Sequence, residues 1–215
     1  MSEAEAAHHS VDEWTRVITT NGFPADEVRS MLQKSIRRGW LEQAVLAAYE
    51  LYATSVEAEE LLWARLSIIA AEDVGFGLKE APAIVEALNA QRSHFPRSGD
   101  RWLFAAHAVR LLATAEKDRT SGELGQWAME VVASGERVVE IDDLAVDMHT
   151  KRGVAMGRDE AHFYAKGALV NPELQPRDST WGDYLRRKYV PGWEPGPTSV
   201  DDGRPTKGGV PPPGK

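Results

Sequence analysis

A strongly apolar stretch occupies residues 61–75 and reads LLWARLSIIAAEDVG. Its leucine, isoleucine and alanine side chains recur every three or four residues, which is the spacing of one face of an α-helix. Trp63, Ile68 and Ala71 widen that face until few positions are left for solvent. The pattern therefore predicts a helix that is buried on most sides and that other helices surround.

The segments on either side of this stretch also show helical spacing. Acidic residues open several of them and glycine or proline closes them, as Asp26 and Gly39 do for one segment. We expect further helices over residues 11–21, 26–38, 40–53, 81–95, 100–115, 123–134, 159–169 and 180–189. The run RVVEI at residues 137–141 is β-like but too short to form a sheet. The fold is therefore expected to be all-α, a compact multi-helix bundle.

The length and composition predict one substantial core. A chain of 215 residues with 42% hydrophobic content can bury one sizeable core but hardly two. We expect Leu41, Val45, Leu46 and Tyr49 of one helix to be buried in this core, and we expect a shorter amphipathic helix to carry Leu124, Trp127, Val131 and Val132 on its apolar side. We expect the chain to comprise a flexible N-terminus, a helical core, an irregular His/Gly/Arg-rich extension packed on the core, and a disordered Pro/Gly tail. Their respective bounds are residues 1–10, 11–141, 142–191 and 192–215.

The charge and the cysteine count exclude several classes of function. A net charge of −8 disfavours binding of DNA or RNA over the whole surface, although a local basic patch can still bind it. The absence of cysteine excludes disulfides, thiolate nucleophiles and cysteine-bound metals. Residues 1–10 lack the apolar core of a secretory signal, and no apolar run reaches the roughly 20 residues of a membrane span. We therefore expect a cytoplasmic protein without membrane association.

The acidic pair Glu72 and Asp73 ends the apolar stretch, and Gly75 follows it. Two adjacent carboxylates can serve in acid–base chemistry or in metal binding. Adjacent helical residues point about 100° apart, however, so the two side chains converge on one site only if the helix ends there. We therefore favour a structural role for Glu72, Asp73 and Gly75, in which a carboxylate either accepts hydrogen bonds from a neighbouring helix N-terminus or pairs with an arginine, and so holds the turn in place.

A second group of candidate residues lies after residue 142 and combines basic with aromatic side chains. This mixture suits phosphate contact and base stacking, and it equally suits a protein interface. The candidates for an interface or for DNA binding are His149, Lys151, Arg152, Arg158, His162, Tyr164, Trp181, Arg186 and Arg187.

No catalytic or cofactor motif stands out in the chain. The spacing of His149 and His162 does not fit the helical pair H-E-x-x-H, so a metal site is disfavoured. The patterns of the phosphate-binding loop, of the dinucleotide fold and of the serine nucleophile elbow do not occur. We expect no catalytic residues, no cofactor and no metal, although an enzyme that uses His149, His162 and a carboxylate remains an alternative.

Three segments together resemble the C-terminal, collar-like region of the RarA/MgsA/WHIP-type AAA+ ATPases. They read QKSIRRGWLEQAVLAAYELYA (33–53), LLWARLSIIAAEDVG (61–75) and AVRLLATAEKD (108–118). In that family a basic helix end precedes an Ala/Leu-rich helix, and a later helix closes in S-E-D-[IV]-G. This chain has AEDVG at residues 71–75, and it has Glu116 where the family has proline in the loop after the last segment. The resemblance implies a helical fold like the collar of clamp loaders.

The resemblance also implies a function. The ATP-driven activity of the family is not expected here, because the ATPase and lid modules are not in this chain. Family members look to be homotetramers that assemble through this region and act on DNA ends or stalled forks. We therefore expect a non-enzymatic oligomerisation and interaction module in DNA replication or repair. Its expected partners are further copies of itself, as a tetramer by resemblance, an AAA+ ATPase or another replication or repair protein. The alternative is a DNA-binding protein that uses residues 149–189.

Overall fold

The computed structural model describes residues 13–195, and the chain divides into two compact units between Arg137 and Val138. Over the described residues all regular elements are helical and no strand is present, which confirms the all-α prediction. An isolated bridge between Ile18 and Pro24 is the β-type pairing seen in this part of the chain. The expected flexible N-terminus (1–10) and residues 196–215 of the expected disordered tail lie outside the described residues.

Over residues 13–137 the first unit is a bundle of six α-helices. They are α1 (Ala25–Arg37), α2 (Leu41–Thr54), α3 (Val56–Ile69), α4 (Ala81–Arg92), α5 (Gly99–Thr114) and α6 (Thr120–Ala133). A π-helical turn, Ala70–Val74, continues directly from α3, and a 3-10 turn, Gly75–Leu78, follows it. None of the helices in the described part of the chain is long and apolar enough to cross a membrane.

The core of the first unit lies around α3, as the apolar stretch predicts. Leu62, Trp63, Leu66 and Ile69 of α3 are almost completely inaccessible to solvent. Burial of such a side chain contributes roughly 2 kcal/mol to stability relative to leaving it in water. Helix α2 contributes mainly alanines to this core, and these small side chains let α1, α3 and α5 approach it closely.

Three predictions about which sides of a helix are buried in the core are wrong. Helix α3 is not buried on most sides, because Ile68 is 44% exposed. In α2, Leu46 and Tyr49 are 64% and 50% exposed, since the alanine-rich side of that helix faces the core instead. In α6 only Val131 is buried. These helices carry apolar residues on several sides, so their periodicity does not fix the buried side.

The predicted helix at residues 11–21 is also wrong over the part that the structure describes. A 3-10 turn occupies Glu13–Arg16, and the chain then bends back on itself. The Thr19 N–H donates to the Phe23 carbonyl at 2.8 Å, and the Gly22 N–H donates to the Thr19 carbonyl at 2.9 Å. The sequence Asn-Gly at residues 21–22 favours this tight turn over a continued helix.

The second unit contains short helices joined by long irregular segments. These are α7 (Lys151–Ala155), α8 (Glu160–His162) and α9 (Thr180–Tyr189), with a π-helical turn, Phe163–Gly167, directly after α8. The side chains of Thr150 and Asp159 accept backbone N–H groups at the starts of α7 and α8. Gly153 of α7 lies so close to the Asp147 carbonyl that a Cβ atom there would be 1.8 Å from the oxygen.

Candidate functional site

The predicted acidic pair lies in the π-helical turn after α3, where the end of α1 and the start of α6 meet it. The Asp73 carboxylate is fully buried. It accepts hydrogen bonds from Arg37 Nε at 2.5 Å and from Gln33 Nε2 at 2.9 Å, and Arg119 Nε lies 3.4 Å from it. The buried charge of Asp73 is therefore neutralised by two guanidinium groups that come from different parts of the chain.

Glu72 shares the same three partners but keeps a third of its side chain in water. Its carboxylate lies 3.0 Å from Gln33 Nε2, 3.3 Å from Arg37 Nη2 and 3.5 Å from Arg119 Nη2. The helix ends at this point, and the π-helical turn directs both carboxylates toward the same arginines. We call these five residues (Gln33, Arg37, Glu72, Asp73 and Arg119) the Asp73 cluster.

Two glycines let the turn after the Asp73 cluster lie directly against the segment that joins α5 to α6. A Cβ atom on Gly75 would lie 2.3 Å from the Asp118 carbonyl oxygen, and one on Gly77 would lie 2.3 Å from that of Glu116. Gly75 also has a φ of +50°, which other residues rarely adopt. The Asp118 N–H donates to the Asp73 carbonyl at 3.0 Å across this contact. The contact requires glycine at both positions.

The geometry of the Asp73 cluster favours the structural interpretation of the acidic pair. Both carboxylates are engaged by arginines and an amide, which leaves neither in position to act as a free base. Among the described residues, no group of three or more histidine, aspartate or glutamate side chains could hold a metal ion. Lys117 lies beside the cluster and donates to the Ala113 carbonyl at 3.1 Å. Burial lowers the pKa of Lys117, and the nearby charge of Asp73 raises it in part.

A second buried carboxylate, Glu59, was not among the sequence-based candidates. It is fully buried in the first turns of α3, where Arg101 Nε and Arg92 Nη1 donate to it at 2.7 and 2.8 Å. Arg97 Nε lies 3.3 Å from its second oxygen, at ion-pair distance but without hydrogen-bond alignment. Glu59 precedes Leu62 by three residues and so lies on the apolar stripe of α3, a signal that could have identified it.

Arg92 extends this second cluster to its neighbours. Its Nη2 contacts both carboxylate oxygens of Glu60 at 2.7 Å, and its guanidinium lies over the Trp63 ring at 5.4 Å. We call Glu59, Glu60, Arg92, Arg97 and Arg101 the Glu59 cluster. Like the Asp73 cluster, it consists of paired charges and offers no unpaired nucleophile or base.

In the second unit, several predicted interface residues are used inside the unit itself. Arg158 donates to both carboxylate oxygens of Asp143, at 2.6 and 2.8 Å, and to the Val146 carbonyl. Arg186 is buried, and Tyr164 stacks on Tyr189 with ring centroids 5.3 Å apart. These contacts within the unit stabilise it and fix the positions of the three side chains.

The two predicted histidines are also held within the second unit, in different ways. His149 Nδ1 lies 3.0 Å from an Asp147 carboxylate oxygen, and its ring meets the Phe163 ring edge-on. The hydrogen bonds from the His149 side chain and backbone lower the pKa of Asp147. His162 Nδ1 is buried and has no hydrogen-bond partner within residues 13–195.

Besides His149, whose side chain is 61% exposed, four more of the predicted residues of the second unit are exposed to solvent. Lys151 and Arg152 are exposed on α7, and Trp181 and Arg187 are exposed on α9. The Arg187 guanidinium lies over the Trp193 ring at 5.9 Å. The structure therefore splits the predicted basic and aromatic set into an internal part and an exposed part.

The sequence also misses the exposure of α6. Leu124, Met129 and Val132 are each more than half exposed, and Trp127 is about one-third exposed, at 36%. We call these four residues the α6 surface. They extend around more than one side of the helix, so an apolar helix of the first unit is left largely in contact with water.

The comparisons with known proteins do not indicate a function. No model of a known protein family matches this chain, and no curated protein matches it.

Proposed function

We propose that this chain is a non-enzymatic helical interaction module, and that the α6 surface is where it contacts its partner. The observation that carries the proposal is the exposure of Leu124, Trp127, Met129 and Val132 on a single helix. Apolar side chains that one helix leaves exposed to this extent typically mark an interaction site. Covering such a helix removes apolar area from water and supplies the free energy of association.

The resemblance to the collar-like region of RarA/MgsA/WHIP-type AAA+ ATPases supports the same proposal. The three segments that carry this resemblance contribute Arg37, the AEDVG turn and the loop at residues 115–118, which meet around the Asp73 cluster. We propose that the preferred partners are further copies of this chain, which assemble into a tetramer. The other proposed partner is an AAA+ ATPase of DNA replication or repair. The net charge of −8 favours a protein partner over bare DNA.

Size-exclusion chromatography with light scattering on the full chain tests this proposal. We expect an oligomer for the wild type and a shift to monomer for Met129→Lys, because a charge in the apolar contact must lose water. Leu103→Lys is the matched control, since Leu103 is 65% exposed on α5, outside the α6 surface. It should leave the oligomer intact.

The two possible partners give different results in this experiment. If the wild type is monomeric but binds a co-expressed AAA+ ATPase through Met129, the partner is the ATPase and not a second copy of the chain. A wild type that is monomeric at high micromolar concentration and binds no such ATPase would refute the proposal.

DNA binding is the second candidate function, and the exposed part of the basic and aromatic set favours it. Lys151, Arg152 and Arg187 are open to solvent, and Trp181 offers a ring for base stacking. Replacing the three basic residues by alanine should weaken the binding of forked or single-stranded DNA and lower its salt dependence. The control removes three exposed charges from the first unit, those of Arg38, Lys79 and Arg110. Equal weakening by both triple variants, or no binding at low salt, would exclude a specific DNA site.

A further inference from the structure

A groove of about 490 Å³ lies between α1, α2 and the turn that precedes α1. Its apolar lining comes mainly from Phe23, Met31, Leu46 and Tyr49. Ligand sites in proteins commonly have volumes between about 300 and 1,000 Å³ and a mostly apolar lining. The α1–α2 groove has both properties, and none of its lining residues belongs to the α6 surface.

The turn that closes one end of the α1–α2 groove is fixed in place. Asn21 donates from its backbone N–H to Glu50 at 2.8 Å and from its side-chain amide at 2.5 Å. The Thr20 N–H donates to Thr54 Oγ1 at 3.1 Å, also on α2. These hydrogen bonds to α2 fix the turn that carries Phe23, and the groove exists before any partner binds.

The rim of the α1–α2 groove is acidic. Glu27 and Glu50 line it, and no lysine or arginine is found among its lining residues, all of which the structure describes. Burial raises the pKa of Glu50, but hydrogen bonds from Thr19 and Asn21 lower it by more, so the net shift is downward. An occupant that carries positive charge next to apolar groups would therefore match the groove in both respects.

The exposure of the lining favours a peptide over a small molecule. Phe23, Leu46 and Tyr49 are 54%, 64% and 50% exposed although they line the groove. A small molecule within the groove would leave these outer surfaces in water. A peptide laid along the groove would cover them, and aromatic side chains in such positions often supply much of the binding energy.

We infer that the α1–α2 groove docks a peptide segment of a partner protein in which apolar side chains adjoin lysine or arginine. The apolar side chains contact Phe23, Leu46 and Tyr49, and the basic side chain pairs with Glu27 and Glu50. The inference stands on the groove alone and does not require the α6 surface to bind anything.

Fluorescence anisotropy with the full chain tests this inference. The probes are a labelled leucine–lysine peptide and a leucine–glutamate peptide of equal length. We expect the lysine peptide to bind at least about tenfold more tightly than the glutamate peptide, because the rim is acidic. Leu46→Arg should weaken its binding about tenfold or more, since the new charge lies in the contact. Glu27→Gln should weaken it as well and reduce its salt dependence.

Two control variants separate the groove from general attraction to an acidic protein. Leu103→Arg adds the same charge at an equally exposed leucine outside the groove and should leave the affinity unchanged. Met129→Lys should also leave it unchanged, so loss of binding there would place the peptide on the α6 surface and overturn the inference. Equal weakening by Leu46→Arg and Leu103→Arg, equal affinity for the two peptides, or no binding would overturn it as well.

Discussion

Asp73 differs from its neighbour Glu72 in burial, although both contact the same arginines. Asp73 is fully buried, whereas Glu72 keeps a third of its side chain in water. Removing one partner of a buried ion pair is costly because the other charge is left without compensation. Asp73→Ala should therefore lower the free energy of unfolding by about 3 kcal/mol, the low end of the usual range, since Arg37 and Arg119 retain some water contact. Urea unfolding followed by circular dichroism measures this change.

Glu72→Gln is the matched control for Asp73→Ala. Partly exposed ion pairs contribute little, so this variant should lose less than about 1 kcal/mol. If the free energy of unfolding falls by the same small amount in both variants, the burial of Asp73 does not make it more important to the cluster than Glu72. A loss of helix content in the folded state of Asp73→Ala would show that the turn itself depends on this carboxylate.

Asp118 gives the first unit a dependence on pH. The Thr120 hydroxyl and N–H donate to its Oδ1 at 2.6 and 3.0 Å, and the Phe76 N–H donates to its Oδ2 at 3.3 Å. These hydrogen bonds lower the pKa of Asp118 below its ordinary value of 3.8, and the bond from the Thr120 hydroxyl has the largest effect. A carboxylate whose pKa is lower in the folded than in the unfolded protein stabilises the fold. Its contribution is complete at a pH above the unfolded-state pKa, and it is lost as the pH falls through the folded-state pKa.

Comparison of the wild type with Asp118→Asn measures this contribution. The wild type should have the higher urea midpoint at neutral pH, and the difference should shrink as the pH falls below 3.8. A difference between the two proteins that stays constant down to about pH 2 would mean that the hydrogen bonds do not depend on the charge of Asp118.

At the scale of single elements, Gly77 and Gly125 show opposite uses of glycine. A Cβ atom on Gly77 would lie 2.3 Å from the Glu116 carbonyl oxygen, whereas one on Gly125, inside α6, would meet nothing within 4 Å. Gly77→Ala should destabilise by about 2 kcal/mol, because the turn must move away from the backbone. Gly125→Ala should stabilise by roughly 0.5–1 kcal/mol, because alanine loses less conformational entropy in a helix.

The two glycine variants are measured by thermal or urea unfolding at a protein concentration that is low enough to avoid association through α6. Their opposite signs are the essential result. A stabilising Gly77→Ala would mean that the contact between the turn and residues 116–118 is looser than described. A destabilising Gly125→Ala would mean that α6 is covered at that position.

The sequence predicts the existence of the elements better than the side that each one buries. The helical spacing, Gly39 and the AEDVG turn place α1, α2 and the end of α3 within a few residues of their observed bounds. Leu46 and Leu124 are wrongly placed in the core because α2 and α6 carry apolar residues all round. In such helices the neighbours decide which side is buried, and those neighbours depend on the tertiary fold.

The candidate site is only partly predictable for a related reason. Pairing with an arginine is one of the two structural roles expected for the acidic pair from its position at a helix end. Its partners Arg37 and Arg119 are 36 and 46 positions away, as the residue numbers give, so no local pattern links them to it. Arg158 appears in the sequence as an exposed basic residue, but it pairs with Asp143 inside the second unit. Sequence alone cannot distinguish an arginine that is free to bind from one that is already paired.

At the scale of the first unit, two clusters of paired charges hold the ends of the segment that begins with α3. The Glu59 cluster joins the start of α3 to the end of α4 and the start of α5, through Arg92 and Arg101. The Asp73 cluster joins the turn after α3 to α1 and to the residue before α6, through Arg37 and Arg119. Helix α3 is thus fixed at both ends, while the α1–α2 groove and the α6 surface remain open to solvent.

The division of the whole chain into two compact units predicts where a protease cuts first. Arg137 is exposed, and it is the only lysine or arginine between Arg119 and Lys151. Because the chain around it has no regular structure, trypsin can bind it in an extended form without unfolding a helix. We expect cleavage after Arg137 well before cleavage after Arg92, which is buried in the Glu59 cluster.

Intact-mass spectrometry over a time course of limited trypsin digestion measures the order of these cuts. Arg137→Gln should remove the early fragment that ends at residue 137 and leave the folded first unit otherwise unchanged, because among the described residues the Arg137 side chain has no ion pair, and its guanidinium lies 5.8 Å from the centre of the Trp127 ring. If fragments ending at Arg92 appear as early as the fragment ending at Arg137, the first unit does not hold together as a single cooperative body. Such a result would also mean that the α6 surface and the α1–α2 groove do not belong to one cooperative unit.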